Sequence, residues 1–269
     1  MYHTTRMSVP TNTSLTRFRR SFALVLLAIL LGTGIAIPLV VLNRAQGGIR
    51  SSALAHRQAA RGPARSVVTA SRSGAGHPFV YVAIGASDSY GVGADDPATQ
   101  SWPADLAASL PLGTRFVNLG VPGILLGRAT QVELPVALDA RPDLITVWLA
   151  VNDLAAGVPL DTYRQQLDGL LDALHQGTGA RILVANVPDL GLIARFSGQP
   201  DIAATVAAWN AAIATAAYAH SATLVDLFGQ WRELAAHPEY LGADGFHPST
   251  EGYRQIARLF WQAYRSEPR

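Results

Sequence analysis

The chain has 269 residues and no cysteine, which excludes disulfides, thiolate-held zinc and thiol catalysis. All 21 basic residues are arginines, so a P-loop lysine is excluded too. The formal charge of +2 conceals a division: residues 1–78 carry ten arginines and no acid, and residues 79–269 carry eleven arginines and all 19 acids. The balance is +10 against −8, and the acidic part gives no support to nucleic-acid binding.

Residues 22–42 run without a charge from Phe22 to Leu42. At a rise of about 1.5 Å per residue such a stretch reaches roughly 31 Å, enough to cross the hydrocarbon core of a bilayer. Arg17, Arg19 and Arg20 precede it, which places residues 1–21 in the cytoplasm as a short basic segment and everything after residue 42 outside. Arg44 and Arg50 weaken that bias without reversing it. A cleaved signal peptide is the rival reading, but its apolar region usually spans only about 7–15 residues. Asn43-Arg44-Ala45-Gln46 is also a poor cleavage site. The expectation is a single-pass membrane anchor, or a secreted chain if the segment is removed. Residues 43–78, rich in Ala, Arg, Ser and Gly, read as a flexible basic linker.

From residue 79 the pattern changes. Phe79-Val80-Tyr81-Val82-Ala83-Ile84-Gly85 is a short run of β-formers ending at glycine, as expected of a buried parallel strand. Similar runs follow at residues 115–118, 144–149, 181–187 and 223–226. Helical patterns lie between them. One begins at Asp161 as N-cap and puts Tyr163, Leu167, Leu170, Leu171 and Leu174 on one face. Another spans about 201–219, and the last aligns Ile256, Leu259, Phe260 and Ala263. Alternating strands and helices predict a doubly wound parallel sheet in residues 79–269, with ligands bound at the carboxyl ends of the strands.

The residues with chemical potential fall at those ends. Gly85-Ala86-Ser87-Asp88-Ser89-Tyr90-Gly91 follows the first strand, Asn118-Leu119-Gly120 the second, and Ala150-Val151-Asn152-Asp153 the third. Near the C-terminus, Asp244-Gly245-Phe246-His247-Pro248 puts a carboxylate and an imidazole three positions apart on a loop. Taken singly, each has a plain reading: a turn serine, a helix cap, a capping aspartate. Together they contain the parts of a nucleophilic catalyst: a serine over a helix N-terminus, donors for an oxyanion, and a histidine oriented by an acid.

This combination resembles the SGNH/GDSL hydrolase family, whose four blocks supply Ser, Gly, Asn and His. The resemblance covers roughly residues 79–265, and Ser101-Trp102-Pro103 is similar to the segment that follows the serine block. It implies a flavodoxin-like five-stranded parallel sheet with helices on both faces, preceded here by one N-terminal transmembrane helix. Carried over by position, Ser87 is the nucleophile and His247 the general base, with Asp244 orienting it. Ser87 N–H, Gly120 and Asn152 form the oxyanion hole. Two departures stand out: the family's Gly-Asp-Ser is Gly85-Ala86-Ser87, and its Gly-x-Asn-Asp is Ala150-Val151-Asn152-Asp153. The first leaves Ser89, after Asp88, as a rival nucleophile. Ser87 is preferred because Gly85 lies two residues before it and Gly91 four after.

The resemblance implies a serine esterase acting on small-molecule or glycan esters, with no metal and no cofactor. Within the same chemistry, an O-acetylesterase or O-acyltransferase acting on cell-wall or extracellular polysaccharide is the alternative. A non-catalytic SGNH-like binding module is the reading outside it. Residues 189–196 either line an acyl pocket or pack on the sheet. The acyl and alcohol parts of the substrate and the oligomeric state stay open.

Overall fold

The computed structural model describes residues 77–230 and 236–266. The expected cytoplasmic segment, membrane anchor and nearly all of the linker therefore lie outside the described residues.

Five strands form one sheet: β1 (Val80–Gly85), β2 (Arg115–Asn118), β3 (Leu144–Trp148), β4 (Arg181–Ala185) and β5 (Thr223–Val225). They run parallel in the order β2-β1-β3-β4-β5, with Val82 paired to both Val117 and Ile145, and Ile145 in turn to Ile182. All five expected strands are present, each ending within two residues of its expected boundary. β1 and β3 are buried along their whole length. Since alternate side chains of a strand point to opposite faces, both faces of the central sheet are covered. The edge strand β2 keeps exposed residues at both ends. Chain order reverses between β1 and β3, the switch point at which α/β sheets of this kind bind ligands.

The helices that frame the site and the core include α1 (Ser87–Tyr90), α2 (Trp102–Ser109), α3 (Leu126–Val132), α4 (Leu134–Asp139), α5 (Val151–Ala155), α6 (Leu160–Gly177), α7 (Ile202–Ala219) and α8 (Thr250–Arg265). The apolar face read for α6 is the buried one, with Tyr163, Leu167, Leu170, Leu171 and Leu174 all inside. Its start differs from the expectation. Pro159 is the N-cap, and Asp161 lies in the first turn with no capping bond, facing Arg164 at 3.5 Å. Pro159, with its φ already fixed at −59°, sets the helix entry two residues earlier than the side-chain cap signal suggested. In α8, Ile256 and Phe260 are buried, while Leu259 and Ala263 pack at the core's margin.

Two aromatic groups fix the helices to the sheet. Trp102, fully buried, stacks on Phe260 at 4.0 Å and meets Trp148 edge-on at 6.1 Å, so α2, α8 and the end of β3 share one cluster. Tyr163 packs on Trp209 at 4.3 Å and donates its hydroxyl proton to Leu149 O at 2.7 Å, joining α6 and α7 to the residue after β3. Trp102→Ala should lower unfolding free energy by about 3–5 kcal/mol, through the lost burial and the cavity left behind. Denaturant midpoints at unchanged m-value are the measurement, and a loss below about 1 kcal/mol would show the cluster to be loosely packed.

Candidate active site

The chain turns sharply out of β1. Ala86 takes φ −114° and ψ −142°, and Ser87 then opens α1, which ends at Gly91 in the left-handed region with Gly91 N–H bonded to Ser87 O. The two serines of this turn diverge. Ser89 is fully buried, and its Oγ occupies the space over the Gly85 α-carbon, where an added β-carbon would meet it at 2.0 Å. Ser87, at the carboxyl edge of the sheet, is 5% exposed.

The histidine loop closes against this turn. A bridge between Leu241 and Pro248, and a bond from Gly242 N–H to His247 O at 2.8 Å, pin its two ends. Gly93, at φ 98°, lies directly against it, since a β-carbon there would meet Pro248 O at 2.4 Å and His247 Cβ at 3.2 Å. Tyr253 on α8 donates to Val92 O at 2.6 Å, holding the far side of the same contact. Within the loop, Asp244 Oδ2 lies 2.6 Å from His247 Nδ1, and Asp244 Oδ1 accepts from Phe246 N–H and His247 N–H, each at 2.9 Å. Burial opposes the charge on Asp244. The bonds from the His247 ring and the two amides outweigh it and hold the carboxyl below its ordinary value. Nδ1 bonded to a carboxylate carries the proton, which leaves Nε2 as the basic nitrogen. Nε2 is buried with no protein partner, and no hydrogen bond joins it to Ser87.

The loops after β2 and β3 are tied to each other. Asn152 Nδ2 donates to Ile124 O at 3.0 Å, and both carboxylate oxygens of Asp153 accept from Leu126 N–H at 3.1 Å. Gly120 fits with no room for a side chain: a β-carbon would lie 2.6 Å from Tyr90 N and 2.9 Å from Ala86 O. Its own N–H donates to Asn118 Oδ1 at 3.0 Å, and Asn118 Nδ2 reaches Ser89 O at 2.6 Å. Gly123, in the same loop at φ 78°, has an N–H with no acceptor among the described residues. Ala150, where the resemblance leads one to expect glycine, has φ −176°, outside the left-handed region that favours glycine, and its methyl is buried at 3% exposure.

Residues 83–255 match the model of the GDSL-like lipase/acylhydrolase family. The chain belongs to that family. Solved structures of similar fold include TesA (21% identity, TM-score 0.57), covering 69% of this chain and 98% of TesA. A G-D-S-L family lipolytic protein from Veillonella parvula is similar at 18% identity and TM-score 0.58, with 70% of this chain and 100% of that one covered. The acetylxylan esterase Axe2 from Geobacillus stearothermophilus is similar at 20% identity and TM-score 0.58, with coverage of 71% and 96%. No curated protein matches the chain. As a GDSL-like acylhydrolase it is an ester-hydrolysing enzyme.

Three further carboxyls of this GDSL-like protein have no role assigned from sequence: Asp88 in the serine turn, Glu133 bonded to Gly85, and Asp153 in the loop after β3. Asp88 is half-buried, and burial pushes its carboxyl up against the opposing pull of the His247 imidazole; the charge of Asp244 adds to the rise. Asp153 is raised by burial to about 6, partly offset by the Leu126 amide. Glu133, 2% exposed, accepts from Gly85 N–H at 2.9 Å through Oε2, while Oε1 is buried with no partner. Burial raises it to about 8 against that one bond. Glu133 sits just before α4, and nothing in its sequence context marks it; only the tertiary packing brings it under β1. His220 and His237 each lie beside a carboxylate, Asp168 at 2.7 Å and Glu239 at 2.8 Å respectively. Among the described residues no group of three or more His, Asp or Glu side chains is placed to hold a metal ion.

The Glu133 carboxyl keeps its proton in the folded chain up to about pH 8, whereas the unfolded chain releases it near the ordinary value of 4.5. Between those values the folded state binds the extra proton, so the contribution of Glu133 to stability falls as pH rises through that window. Glu133→Gln removes the ionisation and keeps an acceptor for Gly85 N–H. Its melting temperature should gain on that of the parent as pH goes from 5 to 8. A difference that stays constant over that range would show that Glu133 does not titrate there.

Proposed function

We propose that the chain is a serine esterase that cleaves carboxylic esters through an acyl-enzyme, with Ser87 as nucleophile, His247 as general base and Asp244 as its orienting acid. The observation that carries this reading is the 2.6 Å contact between Asp244 and His247 Nδ1, with a buried, unpaired Nε2 packed beside the serine turn. The missing Ser87–His247 bond is consistent with it, because catalytic hydrogen bonds are often long without substrate. His247 Nε2 takes the Ser87 Oγ proton as Oγ attacks the ester carbonyl. It returns the proton to the departing alcohol, then activates water to release the acid.

The oxyanion in this scheme is held by Ser87 N–H, an amide of the β2 loop and the Asn152 side chain. Asn152 Nδ2 has one proton on Ile124 O and a second left for the substrate. Gly120 N–H must exchange its bond to Asn118 Oδ1, an exchange favoured by an oxyanion because a charged acceptor is the stronger one. Gly123 N–H, in the same loop, would need no such exchange.

An O-acetylesterase or O-acyltransferase acting on cell-wall or extracellular polysaccharide is the second reading, favoured by the fold likeness to acetylxylan esterases. We place the catalytic domain outside the cell on a membrane anchor at residues 22–42, on the strength of the uncharged stretch and the arginines before it.

A fluorophosphonate probe should label Ser87, and Ser87→Ala should lose both labelling and at least about a thousandfold in kcat. Ser89→Ala should retain both; the opposite pattern moves the nucleophile. A chain that fails to label is a binding module. Asn152→Ala should lower kcat by about 10²–10³ with KM little changed, the mark of a donor used only in the transition state. A raised KM at unchanged kcat would remove Asn152 from this role.

A further inference from the structure

All five strands are parallel, so all of them start at one edge of the sheet, opposite the edge that holds the candidate site. The two most exposed large apolar side chains belong to connections at that amino edge. Leu112 is 107% and Tyr218 87% exposed, and no other such side chain among the described residues exceeds 46%. Leu112 is the tip of the turn that enters β2. Thr114 N–H bonds to Pro111 O at 3.0 Å, and Gly113 takes φ 84°. Tyr218 lies in the last turn of α7, just before β5. β2 and β5 are the outer strands, so the two residues belong to opposite ends of the edge.

Where β1 begins and α8 ends, three partly exposed rings form a run. Phe79 meets Tyr264 edge-on at 6.5 Å, and Tyr264 stacks with Trp261 at 5.6 Å. Arg181 lies over Tyr264 at 5.5 Å and Arg265 over Trp261 at 6.0 Å. Charge is divided between the two edges. Among the described residues, Arg115, Arg141, Arg181 and Arg265 belong to the amino edge, against Asp139 and Asp143. The loops of the opposite edge carry Asp95, Asp96, Asp189, Asp226, Glu239 and Asp244, against Arg195.

Helix C-termini also gather at the amino edge and favour arginine by themselves. They give no reason for an exposed leucine and tyrosine. Exposed apolar tips among arginines, with Trp and Tyr beside them, suit the headgroup layer of an anionic bilayer. The chain also enters the domain at this edge, through Pro78 and Phe79.

We propose that the amino edge is a lipid-contacting face. Leu112 and Tyr218 enter the headgroup layer, the arginines meet its phosphates, and the candidate site is turned away from the membrane. Esters then reach the site from the aqueous side, not from the bilayer that the domain rests on. This goes beyond the esterase reading and does not depend on it; from the proposed anchor it takes only a bilayer within reach.

The chain has no cysteine, so a single introduced one carries an environment-sensitive fluorophore without background. Leu112→Cys is compared with Ala156→Cys, an exposed position following α5 at the carboxyl edge. Each full-length chain is reconstituted into vesicles of phosphatidylcholine and phosphatidylglycerol that contain a headgroup spin-labelled lipid as quencher. Position 112 should be quenched at least about threefold more than position 156. Salt raised to about 0.5 M, or Arg115→Glu combined with Arg141→Glu, should at least halve that difference. The salt arm leaves these arginines in place, so it decides the matter if the double variant fails to fold. Equal quenching at the two positions, none at 112, or a difference that neither change moves overturns the proposal. A fluorophore at 112 that becomes shielded without vesicles, in step with protein concentration, assigns the edge to a second copy of the chain and overturns it too. Flotation reports the anchor separately: a chain that floats without quenching at 112 keeps its anchor and loses this face.

Discussion

The turn from β1 into α1 is enclosed so tightly that its neighbours are chosen by what fits against backbone. Gly120 has no space for a β-carbon beside Tyr90 N and Ala86 O, and Gly93 has none beside Pro248 O. A side chain at either position would push the β2 loop or the histidine loop away from the serine. Parallel strands impose the geometry. With β1 between β2 and β3, the loops leaving all three strands emerge at one edge, and only close backbone contact brings their polar groups together. Beneath the turn, Glu133 takes up Gly85 N–H, a donor at the end of the strand that the sheet itself does not satisfy.

What could be read from sequence follows the same division. The strands were legible because β1, β3 and β4 lie in the centre of the sheet and read as near-continuous apolar runs, and the α6 face because its burial is one-sided. The catalytic candidates were legible because each sits at a strand end or on a Gly/Pro-marked loop. Glu133 was not, since a glutamate before a helix is ordinarily a solvated residue and its burial depends on contacts 48 positions away. The engagement of Gly120 N–H by Asn118 was equally invisible, because two residues of the same loop compete there for one amide.

The departure at Gly85-Ala86-Ser87-Asp88 has a structural counterpart. Alanine precedes the serine, and the carboxyl that follows it lies within electrostatic reach of His247. Both carboxyls near the imidazole lose part of their hydration, which is costly where the charge is unpaired. The structure meets that cost unequally. Asp244, with three hydrogen bonds to one carboxylate, stays ionised, while Asp88, which has no such set, is pushed toward its neutral form.

That inequality bears on how the histidine works. One ionised carboxylate at Nδ1 fixes the tautomer and orientation of the ring, and Asp88, pushed toward its neutral form, adds less negative charge beside it. The turn that departs from the family's Gly-Asp-Ser thus carries a carboxyl one residue past the serine, where burial, with the like charge of Asp244 added, keeps it from sharing the imidazole as a second full anion.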